Sequence, residues 1–222
     1  MKHNRITVLL ASIMVCIMLV SGCASDQSER AAAYVQATLD LTFQGETEGA
    51  KQFIGASDEQ LEQVYENGIS AFVSSYLTSG MDTGELFSST YGYIMKEIFS
   101  VSKYQIISTE KVDGNTYEVT VSYQPVDVFL KFIPQLQVEA EQIEKDAANG
   151  KYEGTKEEQQ YNMLYDYLNH SYDYLESAYL DMEYLDEQMH KFTVTVKGSQ
   201  TPEMVEDEIN SFIESILALD KV

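Results

Sequence analysis

Residues 113 to 124 read Asp113-Gly114-Asn115-Thr116-Tyr117-Glu118-Val119-Thr120-Val121-Ser122-Tyr123-Gln124. From Tyr117 onward, apolar or aromatic side chains alternate with polar ones. This period of two puts Tyr117, Val119, Val121 and Tyr123 on one face of a β-strand. Asp113-Gly114 just before the run is a strong hairpin signal, because a tight antiparallel turn demands the positive φ that glycine adopts without strain. The stretch predicts an antiparallel hairpin, about 103–112 paired with 116–124. A second alternating run, Phe192, Val194 and Val196, predicts a strand at about 191–198 that needs an edge of this hairpin. No clear fourth strand follows between Val196 and Thr201.

Away from this small sheet the period is helical. Ala32, Val35, Leu39 and Phe43 recur at helical spacing until Gly45 ends the pattern. Ser57-Asp58-Glu59-Gln60 has the form of a capping box, and it opens a stripe through Leu61, Val64, Tyr65, Phe72 and Tyr76 that stops at Gly80. Asp82 with Glu85 opens a third stripe, through Leu86, Phe87, Tyr91, Ile94, Met95 and Ile98. Thr201-Pro202 begins the last helix with proline at its tolerated first position, burying Met204 or Val205, Ile209, Phe212, Ile216 and Leu217. The expected fold class is α+β, predominantly helical, with amphipathic helices packed on the small antiparallel sheet.

Between the strands lies a long helical stretch. Phe129, Phe132, Ile133, Leu136, Ala140 and Ile143 make one apolar face before Asn149-Gly150, with Pro134 bending the helix or delaying its start. Thr155 and Glu158 then cap a run to about Met189, in which Tyr161, Tyr165, Leu168, Tyr172, Leu175, Tyr179 and Met182 keep a three-four spacing. That heptad seam has its natural partner in the stripe just upstream. A helical hairpin follows, 126–148 against 156–189.

The first residues make a different kind of statement. Met1-Lys2-His3-Asn4-Arg5 is basic, and Ile6 to Val20 is apolar apart from Thr7 and Ser12. This is the layout of an export signal, and the apolar run is shorter than the ~20 residues a spanning helix needs. Leu19-Val20-Ser21-Gly22-Cys23 resembles a bacterial lipobox, in which a signal peptidase cuts before the cysteine and a diacylglycerol is carried on its sulfur. The resemblance implies residues 1–22 as a signal peptide and Cys23 as the lipidation site, with palmitate-type acyl chains. It places a lipoprotein on the outer face of the cell membrane, held by the lipid on Cys23. Residues 23–30 then form a short tether, whose seven residues beyond the cysteine reach at most about 25 Å at ~3.3–3.6 Å each, and 31–222 a single α+β extracytoplasmic domain.

Charge narrows the partners. The chain carries 36 acidic and 14 basic residues, net −22. Removing Lys2 and Arg5 with the signal leaves 12 basic residues and a net charge of −24. Affinity for nucleic acid comes from lysine and arginine neutralising phosphates, so nucleic acid is not an expected partner. Cys16 leaves with the signal, and a lipidated Cys23 leaves no disulfide, so stability rests on a packed core.

Motifs for chemistry are sparse. There is no Gly-x-Ser-x-Gly elbow, no His-Glu-x-x-His, no phosphate-binding glycine loop and no dinucleotide fingerprint. No enzyme activity and no cofactor are expected. Asp166, His170 and Asp173 share one helix face at a spacing that places imidazole and carboxylates one turn apart, but three such residues on an acidic helix are also an ordinary solvated face, and no metal site is assigned. On a 100° helical wheel Tyr167 and Tyr174 point away from the seam tyrosines, which marks them as candidate ligand or partner contacts.

The order of features from Ala32 to Leu217 more weakly resembles uncharacterised Gram-positive lipoproteins with a cystatin-like or NTF2-like domain. The likeness rests on the helix Tyr34 to Phe43, the Gly55-Ala56-Ser57 entry, the turn at Asp113-Gly114, the strand Phe192 to Val196 and the closing helix. The long hairpin and the lack of a clear fourth strand depart from that pattern. The expected role is a non-catalytic domain that binds a protein or small ligand at the cell surface. The alternatives are the solute-binding subunit of an importer, whose usual two lobes need more strands, and a cell-envelope hydrolase working with paired carboxylates.

Overall fold

The structure, a computed structural model, describes residues 27–78 and 84–222, with the side chains of 84–86 and 206 excepted. Cys23, the 1–22 segment, residues 24–26 of the expected tether and Asp82 lie outside the described residues, and residues 27–30 are helical. The chain forms two compact units, one of residues up to Gln124 together with Glu187–Ile213, the other of Pro125–Asp186 with Glu214–Val222.

The first unit is the α+β part. Helix α1 (Gln27–Gln44) buries Ala31, Val35, Leu39 and Phe43 at four-residue spacing, and on a second face Ala37 and Leu41. It stops at Gly45, where φ is +68° and an added Cβ would meet the Tyr65 ring at 3.0 Å. The one-turn α2 (Glu48–Lys51) leads to α3 (Asp58–Phe72), which opens on the expected capping box: Ser57 Oγ accepts from the Gln60 N–H and Gln60 Oε1 accepts from the Ser57 N–H. A wider helical turn, Val73–Leu77, extends it. Helix α4 (Gly84–Ser100) buries Tyr91, Ile94, Met95 and Ile98, the stripe read from the sequence.

Strand β1 (Lys103–Asp113) pairs antiparallel with β2 (Thr116–Gln124) around Gly114, where φ is +42°. Register shifts at Ile106/Ser108 and Lys111/Asp113 bend β1 and leave Ile107 and Val112 exposed on an edge strand. On the other side β2 pairs with β3 (Gln188–Thr195), placing Val119 opposite Phe192 and Tyr117 opposite Val194. The third strand thus begins earlier than 191 and ends before 198, because Gly198, with φ at +59°, turns the chain there. A fourth strand, the two-residue β4 (Glu203–Met204), pairs with Val194–Thr195 and gives the order β1-β2-β3-β4. Two ladder positions leave no alternation to detect.

Helix α7 (Glu206–Ile216) sends Phe212 into this core, with ring centroids 5.0 Å from Tyr123, 5.3 Å from Phe192 and 5.9 Å from Phe43.

The second unit is the helical hairpin, α5 (Val128–Ala148) against α6 (Lys156–Leu180). Thr155 and Glu158 make a reciprocal capping box at the start of α6. The helix ends at Leu180 instead of running to 189, because the following residues have other partners. Val126 bridges Tyr184, the Leu185 N–H donates to the Pro125 carbonyl, and buried Asp127 accepts from the Glu183 N–H at 2.8 Å and pairs with Lys131 at 3.0 Å. Among the described residues no helix is long and apolar enough to cross a membrane.

The seam is rotated from the expected one. Leu168, Ser171, Leu175 and Ala178 are buried on α6, while Tyr161 and Tyr165 are 66% and 47% exposed and stack on one another. The small residues Ser171 and Ala178 take buried positions beside Leu168 and Leu175, and Tyr161 and Tyr165 stay at the rim. On α5, Ala140 is exposed and Glu139 takes the buried position.

Candidate functional site

The first unit holds a cavity of about 550 Å³. One wall is α1, through Tyr34, Ala37, Thr38, Leu41 and Thr42. A second is α3, through Val64, Tyr65, Gly68, Ile69 and Phe72, and a third is the segment from Gln200 to Met204 with Ile209 and Ile213 of α7. The first wall exists because α1 is apolar on two faces, so Ala37 and Leu41 remain once Val35, Leu39 and Phe43 have met the core. Phe53 closes the floor, its ring 5.3 Å from Tyr34 in an edge-to-face arrangement. Gly68 lines the space, and a Cβ built there touches nothing within 4 Å.

Polar groups are few. Of the lining residues among those described, Glu203 alone bears a charge, and it is exposed and 3.4 Å from Lys197. Burial first, and the charge of Glu203 second, push the Tyr34 phenol above its usual value, so it stays neutral and able to donate. The size and the apolar lining with a few hydrogen-bonding groups are those of a small-molecule site. A ligand's buried part must be uncharged, since an enclosed charge without a counter-charge is costly.

The residues singled out in the sequence lie in the other unit. Tyr174 does not face outward: its hydroxyl donates to Glu139 Oε2 at 2.8 Å. His170 Nδ1 sits 2.6 Å from Glu139 Oε1. Burial alone would raise the Glu139 carboxyl, but the hydrogen bonds from His170 and Tyr174 outweigh it and hold it below its usual value. The Tyr174 phenol is raised in turn, by that bond first and then by burial. Tyr167 is half-buried, and burial raises its phenol as well.

Asp166 is engaged elsewhere. It accepts from the buried Tyr152 hydroxyl at 3.1 Å and pairs with Lys151 at 3.3 Å, closing the hairpin tip together with Asp146. Asp166, His170 and Asp173 do not converge: among the described residues no three His, Cys, Asp or Glu side chains are placed to hold a metal ion.

In comparisons with family models and with curated proteins, nothing matches the sequence. Among solved structures the chain is similar to one described as a "putative lipoprotein (ycdA)" from Bacillus subtilis, with a TM-score of 0.53 and 13% identity over 85% of this chain. The match covers 56% of that protein, so this chain spans little more than half its length. At such identity the likeness is one of fold.

Proposed function

We propose that this chain is a lipid-anchored extracytoplasmic lipoprotein whose α+β unit binds an apolar small molecule and carries out no chemistry on it. The observation that carries the binding role is the cavity, with its apolar walls, a single exposed charge at the rim and an unfilled lining position at Gly68. The anchor rests on the lipobox-like Val20-Ser21-Gly22-Cys23, and the fold shared with a protein described as a lipoprotein supports it. The ligand is a compact hydrophobe with at most one neutral polar group, which the Tyr34 hydroxyl would meet.

A titration of the full chain with N-phenyl-1-naphthylamine, an uncharged dye that brightens in apolar surroundings, tests the reading. Saturable brightening in the wild type, lost in Gly68→Leu, is expected. The leucine side chain would project into the space while the helix itself gains propensity. Equal brightening in both proteins, or none in the wild type, rules the reading out.

A further inference from the structure

One wall of the cavity is a single run of chain, Gln200 to Val205, and it is fastened differently from the others. The helical walls are integral to the core. The strap from Lys197 to Val205 leaves β3 at Gly198, whose φ of +59° gives a sharp turn, and regains the sheet through only the two residues of β4. Three hydrogen bonds hold it down between those points. Arg30 Nη2 donates to the carbonyls of Ser199 at 3.2 Å and Gln200 at 3.0 Å, and Thr201 Oγ1 donates to the Phe53 carbonyl at 2.8 Å.

The Arg30 guanidinium lies 5.6 Å from the centre of the Phe53 ring, a second lining residue, so one side chain joins the strap to the floor. The closed arrangement is not free of cost. Arg30 Nε is buried without a hydrogen-bond partner, and such a donor regains water only when the side chain swings out. The strap is therefore held shut by a few polar contacts and one buried side chain, Pro202, while residues 197–200, Glu203 and Val205 are exposed.

From this we infer that the 197–205 strap is the gate of the cavity, latched by Arg30 and Thr201, and that ligand enters and leaves by its release. The inference rests on the cavity being a binding site. Arg30 and Thr201 then set exchange rates, whereas the affinity for the apolar body is set by the helical walls.

Stopped-flow displacement of N-phenyl-1-naphthylamine from the full chain, with wild type, Arg30→Ala, Arg30→Lys and Thr201→Val, separates the two ideas. Dissociation about tenfold faster in Arg30→Ala, for the loss of a charge-assisted latch, and about threefold faster in Thr201→Val, for the loss of a neutral hydrogen bond, is expected, with partial restoration in Arg30→Lys and the bound dye's emission maximum unchanged. Unchanged rates with intact binding would overturn the gate and leave the cavity reading standing. Should the wild type bind no dye, the cavity reading fails. The latch is then judged by hydrogen exchange at residues 199–204, which must be faster in Arg30→Ala than in wild type; equal exchange overturns it.

Discussion

Unit 1 closes its centre with interlocked rings around Phe212 and then leaves a space of about 550 Å³ beside them. In unit 2 there is a carboxylate in the seam, Glu139, only 7% exposed and satisfied by His170 and Tyr174 across the hairpin. Both are departures from a filled apolar interior, with different consequences. An apolar void costs packing energy that a hydrophobic guest restores. A buried charge with its own partners fixes how two helices meet and offers nothing to a guest. The proposed ligand site is accordingly the space in unit 1, and the Glu139 cluster holds the two helices of unit 2 together.

The comparison breaks first if the ring cluster is not the support of unit 1. Phe212→Ala should cost about 3 to 5 kcal/mol in denaturant unfolding, since it deletes a side chain that is 0% exposed and packs against four rings, those of Phe43, Tyr123, His190 and Phe192. A cost under ~1 kcal/mol would mean that the cluster collapses to fill the gap. Next in size, Glu139→Ala should cost about 2 to 3 kcal/mol, because Tyr174 and His170 lose their acceptor. The triple change Glu139→Leu, His170→Leu, Tyr174→Phe should recover most of that loss.

Glu139 also gives unit 2 a pH dependence. Its folded carboxyl binds a proton less tightly than in the unfolded chain, where the ordinary value is 4.5. Between the two values the unfolded state binds more protons, so this contribution is complete above about the ordinary carboxylate range and is lost as pH falls through the depressed folded value. Unfolding measured from pH 7 down to pH 3 should show wild type losing stability faster than Glu139→Gln; parallel curves would remove the charge from the account. The smallest effects concern the two capping boxes, one in each unit. Ser57→Ala and Thr155→Ala should each cost about 1 kcal/mol, with unfolding followed by circular dichroism, and a cap that costs nothing would mark the unit whose helix start frays.

Much of the fold was legible because it rests on repeated local signals. The alternation from Tyr117 to Tyr123, the Asp113-Gly114 turn and both capping boxes needed no long-range information. The errors arose where packing chose between near-equal faces. On α6 six tyrosines and leucines share a three-four spacing, and the small residues Ser171 and Ala178, silent in a hydrophobic pattern, take buried positions in the seam. Glu139 lies at helical spacing from Phe132, Leu136 and Ile143, so a charged residue on an apolar stripe was the available signal.

The cavity was barely legible, because a void is a property of three walls meeting and no residue in it is unusual. The second apolar face of α1, at Ala37 and Leu41, was its faint trace.

The central claim is that the space between α1, α3 and the strap takes a hydrophobe. Crystals of the chain soaked with 1-bromodecane would show where such a molecule goes. An anomalous bromine peak beside Leu41, Ile69 and Phe72, absent in Gly68→Leu, is the predicted result. Bromine found only on the outer surface, or in the same place in both proteins, would contradict it.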